Sequence, residues 1–190
     1  MKKAMVILTM IIVLPSLAQA VVLVGGFQGG LRTVNDSEIK DVYGNGISLF
    51  PYLAVNPWKG LLAGVGYDLG YSKKGTLGLY NENTTLKISG LQAFVGYQYP
   101  VSFLTPYALL GFGAYSYKQT VASAYYTGFS AKKSTFFFAL GAKASPLKSL
   151  PGLFFNLEIK YLPLSVQPYD TKVDLGGLNI ALGVGYCLGF

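Results

Sequence analysis

The sequence predicts an all-β protein: an eight-stranded antiparallel up-and-down barrel that crosses a membrane. Three observations predict it. The chain is 52% hydrophobic but only 12% charged, about half the charge of an ordinary soluble domain. After residue 20, no stretch reaches the ~18 consecutive apolar residues of a spanning helix. Bulky apolar residues instead alternate with small or polar ones over segments of about ten residues, the length a tilted strand uses to cross a bilayer.

The N-terminus comes first. Met1-Lys2-Lys3 is a basic start, Val6 to Leu14 is mostly apolar, and Ala18-Gln19-Ala20 has the small-x-small pattern of a cleavage site. Residues 1–20 are expected to be a cleaved signal peptide and residues 21–190 the barrel domain. The apolar run is too short for a membrane anchor. Loss of Lys2 and Lys3 lowers the net charge from +7 to +5. The remaining lysines are scattered, several in turn-rich stretches, which fits solvated loops. No nucleic-acid partner is expected for such an exported chain. Cys187 is the one cysteine, so no internal disulfide forms.

The strands follow in order. Val21–Arg32 sets Leu23, Phe27 and Leu31 against Gln28 and Arg32. Ile47–Val55 is apolar and interrupted by Pro51. In Leu61–Ser72, Leu61, Ala63, Val65, Tyr67, Leu69 and Tyr71 alternate with small or polar residues, with Leu62 as a misfit. Gly90–Tyr99 interleaves Leu91, Val95 and Tyr97 with Gln92, Phe94 and Gly96. Tyr107–Lys118 sets Leu110, Phe112 and Ala114 against Gly111 and Gly113. Ser134–Ser145 turns Phe136, Phe138 and Leu140 away from Gly141 and Lys143. Leu153–Tyr161 alternates Phe155, Leu157 and Ile159 with Asn156, Glu158 and Lys160. Leu178–Phe190 alternates without a break and carries no side-chain charge. The connections Asn56–Gly60, Pro100–Pro106 and Pro146–Gly152 are short. Thr33–Gly46, Lys73–Lys87, Gln119–Lys133 and Ser165–Gly177 are longer and more polar. That alternation is the pattern of a meander with all loops of one kind at one end.

Two solvents explain the stripes differently. A soluble barrel would turn the bulky stripe inward and leave an almost chargeless, glycine-rich face to water, where glycine weakens strands. A membrane barrel turns the bulky stripe to lipid and the small and polar stripe to a tight interior. The charges decide for the second. Asp68, Glu158, Lys160 and Lys143 all take the parity of the small face. A Lys or Arg facing the bilayer midplane costs about 2–4 kcal/mol. Arg32, Asp68, Gln92, Lys143, Glu158 and Lys160 are therefore expected to form a polar network in the lumen. Trp58, Tyr99, Phe103 and Tyr107 near the short turns, with Tyr71 and Tyr161 near the long loops, fit interfacial aromatic girdles. In hydrocarbon a sheet must close, so the first and last strands must pair.

These residues resemble the small bacterial outer-membrane β-barrels, the eight-stranded OmpA/OmpX-like group, over essentially the whole mature chain. The resemblance rests on the signal, the strand alternation, the loop pattern and a terminal aromatic after Tyr186-Cys187-Leu188-Gly189. It implies an outer-membrane location and recognition of Phe190 by the barrel-assembly machinery. Pro51 and Pro163 depart from an unbroken ladder and mark bulges or shifted strand boundaries.

Three function classes follow. The enzymes among such barrels, which include acyl transferases, deacylases, phospholipases and proteases, depend on histidine, and this chain has none. Ser–His and Cys–His nucleophiles are therefore excluded, and neither catalysis, cofactor nor metal site is expected. A narrow channel for small solutes is the alternative, but eight strands enclose a lumen that side chains fill. The favoured expectation is a monomeric structural or surface-interaction barrel. Its long loops carry Tyr125, Tyr126, Phe129 and the segment Asn81-Glu82-Asn83-Thr84. Outer-membrane lipid and lipopolysaccharide are the expected partners, with Lys73, Lys74, Lys132 and Lys133 placed to contact lipopolysaccharide phosphates.

Overall fold

The computed structural model describes residues 21–58, 60–78, 81–123, 128–147, 149–167 and 172–189. The signal segment, Tyr125, Tyr126 and Phe190 lie outside them. Eight long strands carry the architecture: β1 (Val22–Arg32), β2 (Gly46–Trp58), β3 (Leu61–Leu77), β4 (Glu82–Gln98), β5 (Leu104–Val121), β6 (Phe129–Ala144), β7 (Leu153–Leu162) and β10 (Gly177–Gly189). A short helix α1 (Ser37–Tyr43) follows β1, and a two-stranded ribbon of β8 (Ser165–Val166) and β9 (Val173–Asp174) follows β7. The order β1-β10-β7-β6-β5-β4-β3-β2 closes on itself, and every neighbour pair is antiparallel. The last strand shuts the barrel, in register with β1 from Val22↔Gly189 to Arg32↔Asn179. No described helix is long and apolar enough to cross a membrane.

The stripes point as their parity requires. Leu182 is 68% exposed, whereas neighbouring Ala181 is 4% exposed. Phe27, Leu53, Val65, Leu91, Leu110, Phe136, Leu157 and Ile180 all face outward. An outer surface this apolar matches a bilayer. Trp58, Tyr99 and Phe103 are exposed at the short-turn end and Tyr161 near the other, where amphipathic rings sit at the headgroup level.

Two expected girdle residues turn inward instead. Tyr107 stands opposite Gly141 with lumen parity and is buried. Tyr71 is displaced by a bulge: the β3–β4 register shifts between Asp68 and Tyr71. Gly70 sits there at φ +74°, a conformation favoured by residues without Cβ. One extra residue reverses the parity beyond it, so Tyr71 is fully buried and donates its hydroxyl to the Gly44 carbonyl at 2.7 Å. Leu62, the misfit, is buried and fills the lumen.

Strand lengths differ more than the alternation suggests. Segments 73–87 and 119–133, expected as loops, are largely strand. β3 has 17 residues and β1 has 11, a difference of about 20 Å of chain at ~3.4 Å per residue. The β3–β6 wall therefore rises above the rest of the rim. Over the lower side the other two connections fold down as a cap. Asp36 caps α1 by accepting from Ile39 N–H at 3.1 Å, which satisfies an otherwise orphan helix donor. The amides of Asn35 and Asp36 donate to the carbonyls of Gly176 and Asp174 at 2.8 and 3.0 Å, tying the two connections together. Val34, Tyr43, Leu164, Val166 and Leu175 are buried beneath.

Both prolines have a structural account. The β2–β3 ladder ends at Tyr52↔Gly66, next to Pro51, while β1–β2 pairing continues through it. A residue without N–H ends one ladder and leaves the other intact. Pro163 follows the last residue of β7 and stays outside the sheet.

The interior departs from the small, polar filling expected. Rings lie across glycines on neighbouring strands. The direct cross-strand pairs are Gly26–Tyr52, Gly64–Phe94, Gly90–Tyr115, Gly111–Phe137, Gly141–Tyr107 and Gly185–Phe154. A Cβ at any of these glycines would overlap the partner ring. For Gly26 the three nearest atoms all belong to Tyr52, the first at 2.6 Å. Gly26→Ala is expected to lower unfolding stability by about 1–3 kcal/mol through overpacking. Adding Tyr52→Leu should restore part of that loss. Urea titration followed by the heat-dependent gel shift of the folded barrel measures both, and strictly additive effects would contradict the ring-over-glycine contact.

Candidate functional site

Inward parity brings polar groups from all eight barrel strands into the lumen, the Tyr107 hydroxyl being the contribution of β5. At its centre Gln92 of β4 is fully buried. On one side lies Asp68 of β3. Its Oδ1 accepts from Ser48 Oγ at 3.1 Å. Its Oδ2 faces Arg32 Nη1 at 3.4 Å and Gln92 Nε2 at 3.5 Å. Asn179 Nδ2 donates to Ser48 Oγ at 3.3 Å. On the other side lies Glu158 of β7. Its Oε2 accepts from Tyr107 Oη at 3.0 Å and Gln28 Nε2 at 3.3 Å. Its Oε1 is 3.7 Å from Lys160 Nζ. Lys160 donates to Gln92 Oε1 at 3.2 Å, so the amide of Gln92 links the two ion pairs. Asn156 Nδ2 donates to the Tyr107 hydroxyl at 3.2 Å.

Five of the six expected residues, Arg32, Asp68, Gln92, Glu158 and Lys160, thus form one connected network. Lys143 enters the lumen but stands apart. It donates to Gln98 Oε1 at 2.9 Å and sits over the rings of Tyr107 and Phe154 at 5.4 and 5.1 Å. Among the described residues no carboxylate lies within ion-pair distance of it. Cation–π attraction and one amide stand in for a counter-charge. Among the described residues, the buried charged side chains thus include one more cation than carboxylate. Rings also solvate Lys160, which lies 4.0 Å from the Phe50 centroid and 5.2 Å from that of Phe137.

Chemically, this arrangement fills and braces. The space left among Gln28, Phe50, Tyr52, Phe94, Phe137 and Glu158 is about 10 Å³, room for roughly one water. No described cluster of His, Cys, Asp and Glu has the makings of a metal site. Cys187 is free and half-buried.

Several contributors escape a reading by charge. Gln28, Asn156 and Asn179 were legible as small-face residues, but Ser48 lies in the strand whose alternation Pro51 obscures. Tyr107, expected in the girdle, joins the lumen network through its hydroxyl instead. The four lysines assigned to lipopolysaccharide sit on strands, where neighbours point to opposite faces. Lys74 and Lys132 are exposed on the outer face. Lys73 and Lys133 take the other parity, opposite buried Leu86 and Tyr115.

Asp68→Ala is expected to destabilise the barrel by about 3–5 kcal/mol, because it strands a buried Arg32 charge. The double variant Arg32→Met/Asp68→Leu should be closer to wild type, since it removes both charges. Unfolding midpoints in lipid vesicles compare the two.

The family model described as outer membrane protein beta-barrel domain matches residues 6–187. No curated protein matches the chain. Among solved structures, the outer membrane protein OprG from Pseudomonas aeruginosa is 14% identical, with 90% of this chain and 96% of that chain covered and a TM-score of 0.61. Neisserial surface protein A is 13% identical, with 88% and 96% covered and a TM-score of 0.56. Ail, the attachment invasion locus protein of Yersinia pestis, in complex with the heparin analogue sucrose octasulfate, is 15% identical, with 89% and 97% covered and a TM-score of 0.52. Identities this low establish a shared fold. With the family model spanning nearly the whole chain, the protein belongs to the outer membrane protein β-barrel domain family and is a protein of the bacterial outer membrane.

Proposed function

We propose that this is a non-catalytic barrel with a shut lumen that acts through its extracellular surface. The filled lumen carries the reading. Rings stacked over glycines and two linked ion pairs occupy the path a solute would take. A narrow channel is the competing reading, and this packing speaks against it. The absence of histidine speaks against the enzymes known on such barrels.

The extracellular end offers two unlike surfaces: the tall β3–β6 wall and the cap of α1 and the β8–β9 ribbon. Membrane barrels place short turns on the periplasmic side and long connections outside, which assigns both to the exterior. A monomer fits an outer face that is apolar all round. Outer-membrane lipid and lipopolysaccharide are its proposed neighbours, and the assembly machinery its proposed partner through Phe190. Ail was solved with a heparin analogue; the net positive charge of this chain supports a polyanionic partner here too.

Reconstitution in planar bilayers tests the reading. The wild type should give no steady current, and a steady ohmic conductance would overturn the proposal. Phe50→Ala/Phe137→Ala, which strips the rings from beside Lys160, should raise the frequency of current events above wild type.

A further inference from the structure

The outer face of the β3–β6 wall changes character at one level. Below it the surface is apolar, ending at Leu69, Leu91, Phe112 and Phe136, all exposed. Above it Ser89, Ser116 and Ser134 follow, then Lys87, Lys118 and Lys132, with Lys74 on the neighbouring strand. Register sets them side by side: Ser89 opposite Ser116, Ser116 opposite Lys132, and Lys87 directly opposite Lys118. All four lysines are exposed. A shallow groove runs between them and the belt, lined by Tyr67, Leu91, Ser89, Ser116, Lys132 and Ser134 among others.

The facing lysines are the informative feature. Like charges directly opposite across an antiparallel pair destabilise a sheet. Among the described residues no carboxylate occupies the outer face of this wall, and neither ion pair involves these lysines. A cost with no internal compensation points to compensation from outside. Height identifies the source. Lys87 and Lys132 each stand four residues above the last outward-facing apolar side chain of their strand, Leu91 and Phe136. That is about 10 Å above the hydrocarbon for a strand tilted about 40°, within the headgroup layer once a lysine stem bends toward it.

We infer that Lys74, Lys87, Lys118 and Lys132 form a binding site for the phosphate groups of a phosphorylated glycolipid in the outer leaflet, with the serine hydroxyls as additional donors. Lysine binds phosphate as a point charge and needs no fixed fork geometry, which suits a mobile headgroup. The occupant's acyl chains lie on the belt beneath, so one molecule contacts both zones. The inference rests on the proposed orientation, with this wall on the extracellular side.

Titration calorimetry in detergent micelles with diphosphoryl lipid A tests it. The variant Lys87→Gln/Lys118→Gln/Lys132→Gln should bind on the order of 100-fold more weakly than wild type, at roughly a factor of five per surface lysine. Lys40→Gln/Lys172→Gln, on the cap, should bind as wild type does. Wild-type binding should fall at least tenfold between low salt and about 0.5 M salt. Equal binding by the triple variant, equal binding of dephosphorylated lipid A, or indifference to salt each overturns the site. Inorganic pyrophosphate that binds as tightly as the lipid would make this a site for a soluble anion and overturn the lipid assignment. The heat-dependent gel shift shows that the triple variant folds, and removing opposed charges should not lower its unfolding midpoint. A steady current in planar bilayers would defeat the filled-lumen reading alone and leave this result standing.

Discussion

A backbone amide inside hydrocarbon has no partner except another backbone group, and the rest of this molecule follows from that constraint. It forces β1 to find β10. Closure at eight strands then sets a narrow bore, and the bore must be filled without voids. Filling it with rings requires flat ground opposite each ring, which is why so many lumen-facing positions are glycine. The ion pairs occupy what the rings leave. Gln92 works as a hinge pin between them because an amide both donates and accepts: its nitrogen faces Asp68 and its oxygen faces Lys160.

The parity of the strands was legible in the sequence because the cost of misplacing it is large. A lysine on the wrong face costs kilocalories in lipid, so Lys143, Glu158 and Lys160 had to share a side. The strand count followed from the eight alternating segments, and the meander order from the short and long connections between them. The bulge did not. Gly70 looks like every other small-face residue of its strand until its backbone conformation is known, and Tyr71 was misassigned as a consequence. The tall wall was misread for a different reason. Above the apolar belt the outer face turns to serine and lysine while the inner face stays buried at Leu86, Ile88 and Tyr117, so the bulky outward stripe that marks a membrane strand is lost and the polar sequence resembles loop. The cap was invisible because its burial depends on two connections far apart in sequence, tied by backbone groups that carry no residue-specific signal.

The lumen shows where composition and placement diverge. A stripe rich in glycine suggested a space kept small for polar groups. The same glycines instead receive rings from the adjacent strand, so the stripe's smallness records its neighbour's bulk. Lys143 belongs to this logic: in a bore lined by rings, aromatic faces serve as the dielectric and a separate carboxylate becomes dispensable.

The ring-over-glycine pairs also bear on how such a barrel drifts through generations. Neither member of a pair can change first without harm: a side chain at the glycine meets the ring, and a lost ring leaves a hole. Descendants should therefore inherit the two positions together, or exchange which strand carries the bulk by way of a small-small ancestor. Related barrels would then retain interior volume while shuffling its origin from strand to strand, which is one route to a common architecture at 13–15% identity.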